Sequence, residues 1–121
     1  MISDPAGVIR AWNTGAEHIF GFAPAAAIGS SLDIMVPEHI RERHWAGFHR
    51  AVDSGITKDD GLVFADPVTH ADGTVHFHRG WIKLLLTTTG AVMGVISMWE
   101  PARPGDQGLD APTIIADPVN S

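Results

Sequence analysis

The hydrophobic pattern of this sequence changes period part-way along the chain, and that change limits the folds it can adopt. In 38–55 the residues Ile40, His44 and Phe48 recur every four positions, which is typical of one face of an α-helix. Later residues favour strands in three segments separated by tight-turn sequences, of which Asp72–Gly73 is the strongest. A helix followed by three strands joined by tight turns predicts an antiparallel sheet with helical cover on one face.

The first part of the chain predicts a short hairpin and two short helices. Residues 1–2 and 8–12 are strand-like and flank a turn at 4–7. Asn13 is suited to begin a helix that ends at Gly21, and a second, brief helical turn follows. The element order β-β-α-α-α-β-β-β therefore predicts an α+β domain, with one antiparallel sheet built from the N-terminal hairpin and the three later strands.

The last part of the chain differs in composition from the rest. From Pro101 onward the sequence is rich in proline, glycine and aspartate and shows no sustained period. A length of 121 residues suits a single domain. We therefore expect one domain at 1–102 and a flexible tail at 103–121.

Charge and composition exclude several classes of function. The formal net charge is −6 with only eight Lys and Arg residues, which argues against nucleic acid or an anionic membrane as a partner. The chain contains no cysteine, so disulfides, thiolate metal sites and thiol nucleophiles are excluded. Neither a secretory leader, nor a membrane-spanning apolar run, nor a catalytic motif is recognisable. We expect a cytoplasmic protein that is not an enzyme.

His44 is the polar residue that most needs an explanation, because it lies in the middle of the apolar face of helix 38–55. An imidazole that faces an enclosed apolar pocket can ligate haem iron. It can also be a core histidine whose nitrogen bonds a backbone carbonyl, and periodicity alone favours that interpretation. Arg43 and Arg50 lie at the flank of the same face, where they could bind carboxylates or simply face solvent.

The fourth predicted strand, residues 74–87, carries large side chains on both faces. Alternation places His76, His78 and Gly80 on one face, and Phe77 and Trp81 on the other. The second face is a candidate surface for a dimer or partner, unless the N-terminal segment or the tail covers it. On the first face, His76 and His78 could chelate a metal, but no third ligand accompanies them at a persuasive spacing.

A dense set of residues in the first thirty positions recurs in one known family. The set consists of Asp4, Gly7, Ile9, Asn13, Ala16, Glu17, Gly21, Phe22, Ile28 and Gly29. Together with the Asp72–Gly73 turn, it resembles a PAS domain over about residues 1–100. The resemblance implies a five-stranded antiparallel sheet with helices covering one face, which enclose a small-molecule pocket or only a hydrophobic core. It also implies a sensory or dimerising module rather than an enzyme.

The stretch around His44 carries a narrower resemblance. Residues 35–38 (MVPE), Arg43–His44 and 53–55 (DSG) are similar to the haem-binding PAS domain of rhizobial oxygen-sensor histidine kinases. This resemblance implies b-type haem with His44 as the axial ligand of the iron. It further implies Arg50 and Lys58 near the haem propionates, and Leu62 and Ile82 on the apolar distal side.

Two positions depart from the pattern of those kinases. Phe64 stands where that family has an arginine that bonds bound oxygen, and Gly80 stands where it has a bulky leucine. The comparison implies a roomier distal side with weak hydrogen bonding to a bound gas. It also turns His78 inward beside Gly80, as a candidate distal ligand or polar gate.

These observations lead to the hypothesis of a sensory PAS domain that binds haem b through His44 and senses a diatomic gas or redox state. We expect a homodimer or a signalling partner at the outer face of the sheet. One alternative is a cofactor-free PAS module for dimerisation or partner binding, and another is a pocket for a small organic ligand. A flavin that forms a photochemical adduct is excluded, because the chain has no cysteine.

Overall fold

One antiparallel sheet forms the centre of the structure, a computed structural model that describes residues 1–56, 62–109 and 112–116. Within these residues the strands are β1 (Ile2–Ser3), β2 (Ile9–Ala11), β3 (Val63–Thr69), β4 (Val75–Leu86), β5 (Val92–Trp99) and β6 (Thr113–Ala116). Their spatial order is β2-β1-β5-β4-β3-β6, and each neighbouring pair is antiparallel. The α+β class and the five predicted strands are confirmed, and β6 is an addition at the edge.

Three α-helices lie between β2 and β3 in the described part of the chain. They are α1 (Thr14–Phe20), α2 (Pro24–Ala27) and α3 (Arg41–Ser54), with 3-10 turns at Leu32–Ile34 and Glu38–Ile40. Asn13 caps α1 by accepting a hydrogen bond from the Ala16 amide, and Gly21 and Gly55 end α1 and α3 with φ angles of 87° and 71°. The long helix therefore ends where the sequence predicts but begins as a 3-10 turn. None of the helices described is long and apolar enough to cross a membrane.

The main hydrophobic core is formed mostly by the N-terminal half of the chain. Its buried members are Ile9, Trp12, Ala16, Phe20, Ala27, Leu32, Met35 and Val68. The long helix α3 contributes less, because Ala51 is its buried residue while Trp45 and Phe48 are only partly buried against the core. Part of one face of α3 therefore packs against the core, and the helix lies at the side of the domain.

The segment after β5 differs from the flexible tail that the sequence predicts. A 3-10 turn at Pro104–Asp106 places Asp106 against β4, where its carboxylate accepts two hydrogen bonds from Arg79, of 2.7 and 3.0 Å. The Arg79 guanidinium holds the pKa of Asp106 below its usual value. Farther along, β6 pairs with β3 at Val63–Ala65. This part of the tail is therefore a component of the fold, because it pairs with the sheet.

Gln107 continues the pairing of β4 beyond the end of β5. Its carboxamide accepts a hydrogen bond from the Phe77 amide, 3.1 Å, and donates one to the Phe77 carbonyl, 2.9 Å. A carboxamide is donor and acceptor at once, so it satisfies a backbone position as a neighbouring strand would. Gln107 thus pairs with the backbone edge of β4 at Phe77, and the tail meets the outer face of the sheet at Arg79 through Asp106, which is one of the two arrangements that the sequence allows.

Replacing Gln107 by glutamate should release this contact, because the group that donates to the Phe77 carbonyl becomes a second acceptor. We expect faster hydrogen exchange at the Phe77 amide and a loss of about 0.5–1.5 kcal/mol in the free energy of unfolding. Exchange measured by NMR and urea denaturation test the two effects. An unchanged exchange rate at Phe77 would show that the tail is not bound there.

Candidate functional site

His44 lies on α3 among aromatic rings. Its ring centroid is 4.9 Å from that of Trp45 and 6.0 Å from that of Phe48. Its Nδ1 atom is buried and has no hydrogen-bond partner among the residues that the structure describes. The interpretation of His44 as a satisfied core histidine requires bonded ring nitrogens. At Nδ1 that requirement is not met.

Trp45 fixes the rotation of α3 beside His44. Its Nε1 donates a hydrogen bond of 2.7 Å to Oδ1 of Asp33, and its six-membered ring lies against Gly7. A Cβ atom at Gly7 would overlap that ring, and the φ angle of Gly7 is 84°, so both space and backbone conformation require glycine. The turn of the N-terminal hairpin therefore positions the helix that carries His44.

Burial lowers the pKa of His44 below its usual value. The neighbouring His49 acts in the same direction, whereas Asp33 opposes the shift. Because the ordinary pKa of histidine is about 6.5, the ring is neutral at pH 7. A neutral imidazole offers a lone pair to a metal ion, which is the donor that haem iron takes from a proximal histidine. At the level of the ligand atom, His44 fits haem.

The other predicted haem contacts are distributed over helix and sheet. Arg50 is exposed on α3, and both Leu62 and Ile82 are half-buried. Ile82 lies opposite Ser97 in the β4–β5 pair. Lys58 lies outside the described residues. Leu62 and Ile82 are thus partly accessible apolar side chains, and Arg50 lies at the surface.

The space beside Gly80 is occupied, which corrects the roomier distal side that the sequence predicts. Phe64 is buried and lies directly opposite Gly80 across β3 and β4. A Cβ atom at Gly80 would lie 2.9 Å from the indole of Trp99 and 2.5 Å from the carbonyl oxygen of Met98. The rings of Phe64 and Trp99 lie 5.5 Å apart. Glycine at this position makes room for the indole of Trp99.

His78 faces inward as alternation predicts, but both of its ring nitrogens are engaged. Nδ1 lies 2.9 Å from the Glu100 carbonyl oxygen, and Nε2 lies 2.7 Å from Nε2 of His70. The prediction that His78 is a distal ligand or polar gate therefore lacks a free nitrogen. Sequence analysis missed His70 as its partner. The signal that could have found it is the Asp72–Gly73 turn, which folds the end of β3 back along the start of β4.

Two open depressions on the surface are lined by residues other than His44. One, of about 570 Å³, lies between the 3-10 turn before α3 and the β3–β4 hairpin, beside Pro37 and Val75. The other, of about 340 Å³, lies at the N-terminal hairpin beside Ile2 and Trp12. Neither is lined by a residue that the sequence predicts to contact haem.

The family model for the PAS fold matches residues 1–98. The chain belongs to the PAS family of sensory domains. This PAS domain is 39% identical over 44 residues to the sensor protein FixL of Bradyrhizobium diazoefficiens, an alignment that covers 36% of this chain and 9% of FixL. The chain spans about a tenth of the length of the two curated relatives it matches, 9% and 12%.

Solved PAS structures agree with this assignment. A PAS domain from Colwellia psychrerythraea superposes with a TM-score of 0.70 at 18% identity, and the match covers 83% of this chain and 81% of that one. The dark structure of the LOV domain of the blue-light photoreceptor Aureochrome1 superposes with a TM-score of 0.65 at 13% identity, covering 86% and 75%. At these identities the two structures show that the fold is shared.

The packing at Gly80 generates a stability prediction. Gly80→Ala should lower the free energy of unfolding by about 1–3 kcal/mol, because the new methyl group overlaps a backbone oxygen and an indole that cannot both move aside. Gly47→Ala is the matched control, since a Cβ there meets only the Arg50 side chain at 3.8 Å. In this helix interior the control should raise stability by about 0.5–1 kcal/mol. Urea denaturation that finds Gly80→Ala as stable as the wild type would contradict the packing.

Proposed function

We propose that this PAS domain is a sensory rather than catalytic module that binds b-type haem through His44 and senses a diatomic gas or redox state. The observation that carries the proposal is the buried Nδ1 of His44, which has no hydrogen-bond partner among the described residues. An unpaired buried polar atom is costly, so a bound group that uses the imidazole would explain its retention. The similarity to the sensor protein FixL supports the sensory role.

The residues around His44 suit the task of holding and orienting a ligand ring. Haem, when bound, supplies an iron with a coordination position open to a diatomic gas. The Trp45–Asp33 hydrogen bond restrains the helix on which His44 lies, and the rings of Trp45 and Phe48 surround the imidazole with apolar surface. Because Trp99 fills the space beside Gly80, the proposed site lies towards α3.

Phe64, whose ring packs against Trp99, offers no hydrogen bond to a gas bound at the proposed site. A phenyl ring has no donor, so this position cannot stabilise a gas ligand that carries partial negative charge. The proposal therefore includes weak discrimination between diatomic gases by this side chain.

A cofactor-free interaction module is the second candidate, and one observation favours it. The ring of Trp99 contacts those of both Phe20 and Phe64 along the inner face of the sheet, as in a filled core. In that case the partner surface would be the part of the outer face that the tail leaves uncovered. There Trp81 lies opposite Met98, a residue that is 39% exposed.

Absorption spectroscopy of the purified protein, loaded with hemin, tests the haem proposal. We expect a Soret band in the wild type and in His49→Leu, and its loss or a large shift in His44→Leu. His49 is the matched control, because it is an exposed histidine on the same helix, five residues farther along.

Leucine is chosen so that the His44 variant still folds. A lost Soret band then reports on haem binding and not on unfolding. His44→Leu removes an unpaired buried nitrogen, so the free energy of unfolding without haem should stay within about 1 kcal/mol of the wild type or rise. A wild-type protein that does not bind hemin would overturn the haem proposal, and the cofactor-free interaction module would then be the remaining candidate. A Soret band retained unchanged in His44→Leu would overturn the role of His44.

A further inference from the structure

Three histidines lie together where the β3–β4 hairpin meets α1. The ring of His70 lies 4.5 Å from that of His76 and 5.0 Å from that of His78. The ring of Phe20 contacts both His70 and His78, with centroid distances of 5.9 and 5.1 Å. In the described ranges no three His, Cys, Asp or Glu side chains are arranged to hold a metal ion. The imidazole nitrogens of this cluster can also bind protons.

The hydrogen bonds of the cluster fix where the hydrogens are. His78 is 1% exposed, and its Nδ1 lies 2.9 Å from the Glu100 carbonyl oxygen, which can only accept. His78 therefore carries a hydrogen on Nδ1, and in its neutral form its Nε2 is an acceptor. Since Nε2 of His70 lies 2.7 Å from that atom, His70 must donate through its own Nε2. The result is a one-way chain from His70 through His78 to Glu100.

This chain has room for one additional proton but not for two. The first can bind Nδ1 of His70, because Nε2 of His70 then still donates to His78. A second proton would have to bind Nε2 of His78, where two N–H groups would face each other across 2.7 Å. Burial is the largest cause that lowers the pKa of each histidine, and the mutual repulsion of His70 and His78 lowers that of His70 further.

The charged groups around the His70–His78 pair lie in the hairpin turn, on β3 and β4, and in the segment after β5. The turn supplies Asp72, which favours the charged form of His70, and β4 supplies His76, which disfavours it. On β3, Asp66 lies opposite His78. The segment after β5 supplies the Glu100 carbonyl, while the Glu100 carboxylate pairs with Arg103.

Two further charged groups complete these surroundings. Arg79, next to His78 in β4, is paired with Asp106 of the tail. Helix α1 presents the uncharged ring of Phe20 to the pair.

The tip of the hairpin is docked on α1 next to this pair. The Ala71 amide donates a hydrogen bond of 2.9 Å to the Phe20 carbonyl, and the Ala71 side chain lies close to Gly21. We propose that the His70–His78 pair is an acid-sensitive latch, in which uptake of the second proton separates the two rings and releases the hairpin tip from α1. The docked form binds fewer protons than the released form. Docking is therefore complete above the ordinary histidine pKa of about 6.5 and is lost as the pH falls below it.

Hydrogen exchange at the Ala71 amide measures this release directly. Its protection factor should fall below pH 6.5, approaching about tenfold per pH unit if one proton is taken up on opening. The Thr87 amide, which bonds the Ala91 carbonyl in the β4–β5 hairpin, is the internal reference and should keep its protection. Equal losses at Ala71 and Thr87 would indicate global unfolding and overturn the latch.

A pair of glutamine variants separates the latch from general acid effects. In His70→Gln the carboxamide can donate to a neutral His78 or accept from a charged one, so Ala71 should stay protected in acid. His76→Gln is the matched control, because the described contact of its ring nitrogen is an exposed one with Thr74. Release of Ala71 should persist in this variant and move only to a slightly lower pH, because a charge that repels protonated His70 and His78 is removed. Release of Ala71 at the same pH in His70→Gln and in the wild type would overturn the proposal.

The ring tautomers offer a second test that needs no variant. At pH 8 the ¹⁵N shifts of the wild-type rings should place the hydrogens on Nδ1 of His78 and Nε2 of His70. The reverse assignment would contradict the direction of the chain.

Discussion

The fully buried ring of Phe20 connects α1 to the sheet, and the layout of the domain depends on it. Its centroid lies between 5.1 and 5.9 Å from the rings of Trp12, His70, His78 and Trp99. These contacts join the end of α1 to the β3–β4 hairpin and to the last residue of β5. One side of the inner sheet face is therefore packed with aromatic rings at the centroid distances typical of aromatic pairs. The acid response that we infer for the hairpin follows from two of these rings being imidazoles.

The side of the domain that carries α3 is built differently. Its helix buries Ala51 and rests on the partly buried rings of Trp45 and Phe48. There a buried imidazole nitrogen of His44 has no partner within the part of the chain that the structure describes. This contrast between a filled side and a side with an unpaired imidazole nitrogen is the reason that we propose the ligand site at α3. It also explains why Gly80, on the filled side, adds no volume to that site.

Features of the fold that depend on residues close together in the sequence could be predicted, whereas contacts between distant residues could not. Turns such as Asp72–Gly73 and the four-residue spacing that turns His44 towards the domain depend on near neighbours, so the helices, the N-terminal hairpin and the three consecutive later strands could be predicted. The role of Gln107 as a stand-in for a strand depends on a contact across 30 residues. The position of the Trp99 indole beside Gly80 likewise depends on which strands pair in the sheet. Residue types alone do not specify such pairings, and composition therefore predicted a flexible tail.

We propose that His44 coordinates haem iron through a ring nitrogen. Chemical rescue of His44→Gly tests this coordination most directly. The account predicts that this variant binds hemin without the wild-type spectrum, and that free imidazole restores the spectrum by occupying the space that the side chain left. Circular dichroism establishes that the variant is folded. A wild-type spectrum before imidazole is added, or a folded variant that imidazole does not restore, would contradict the account.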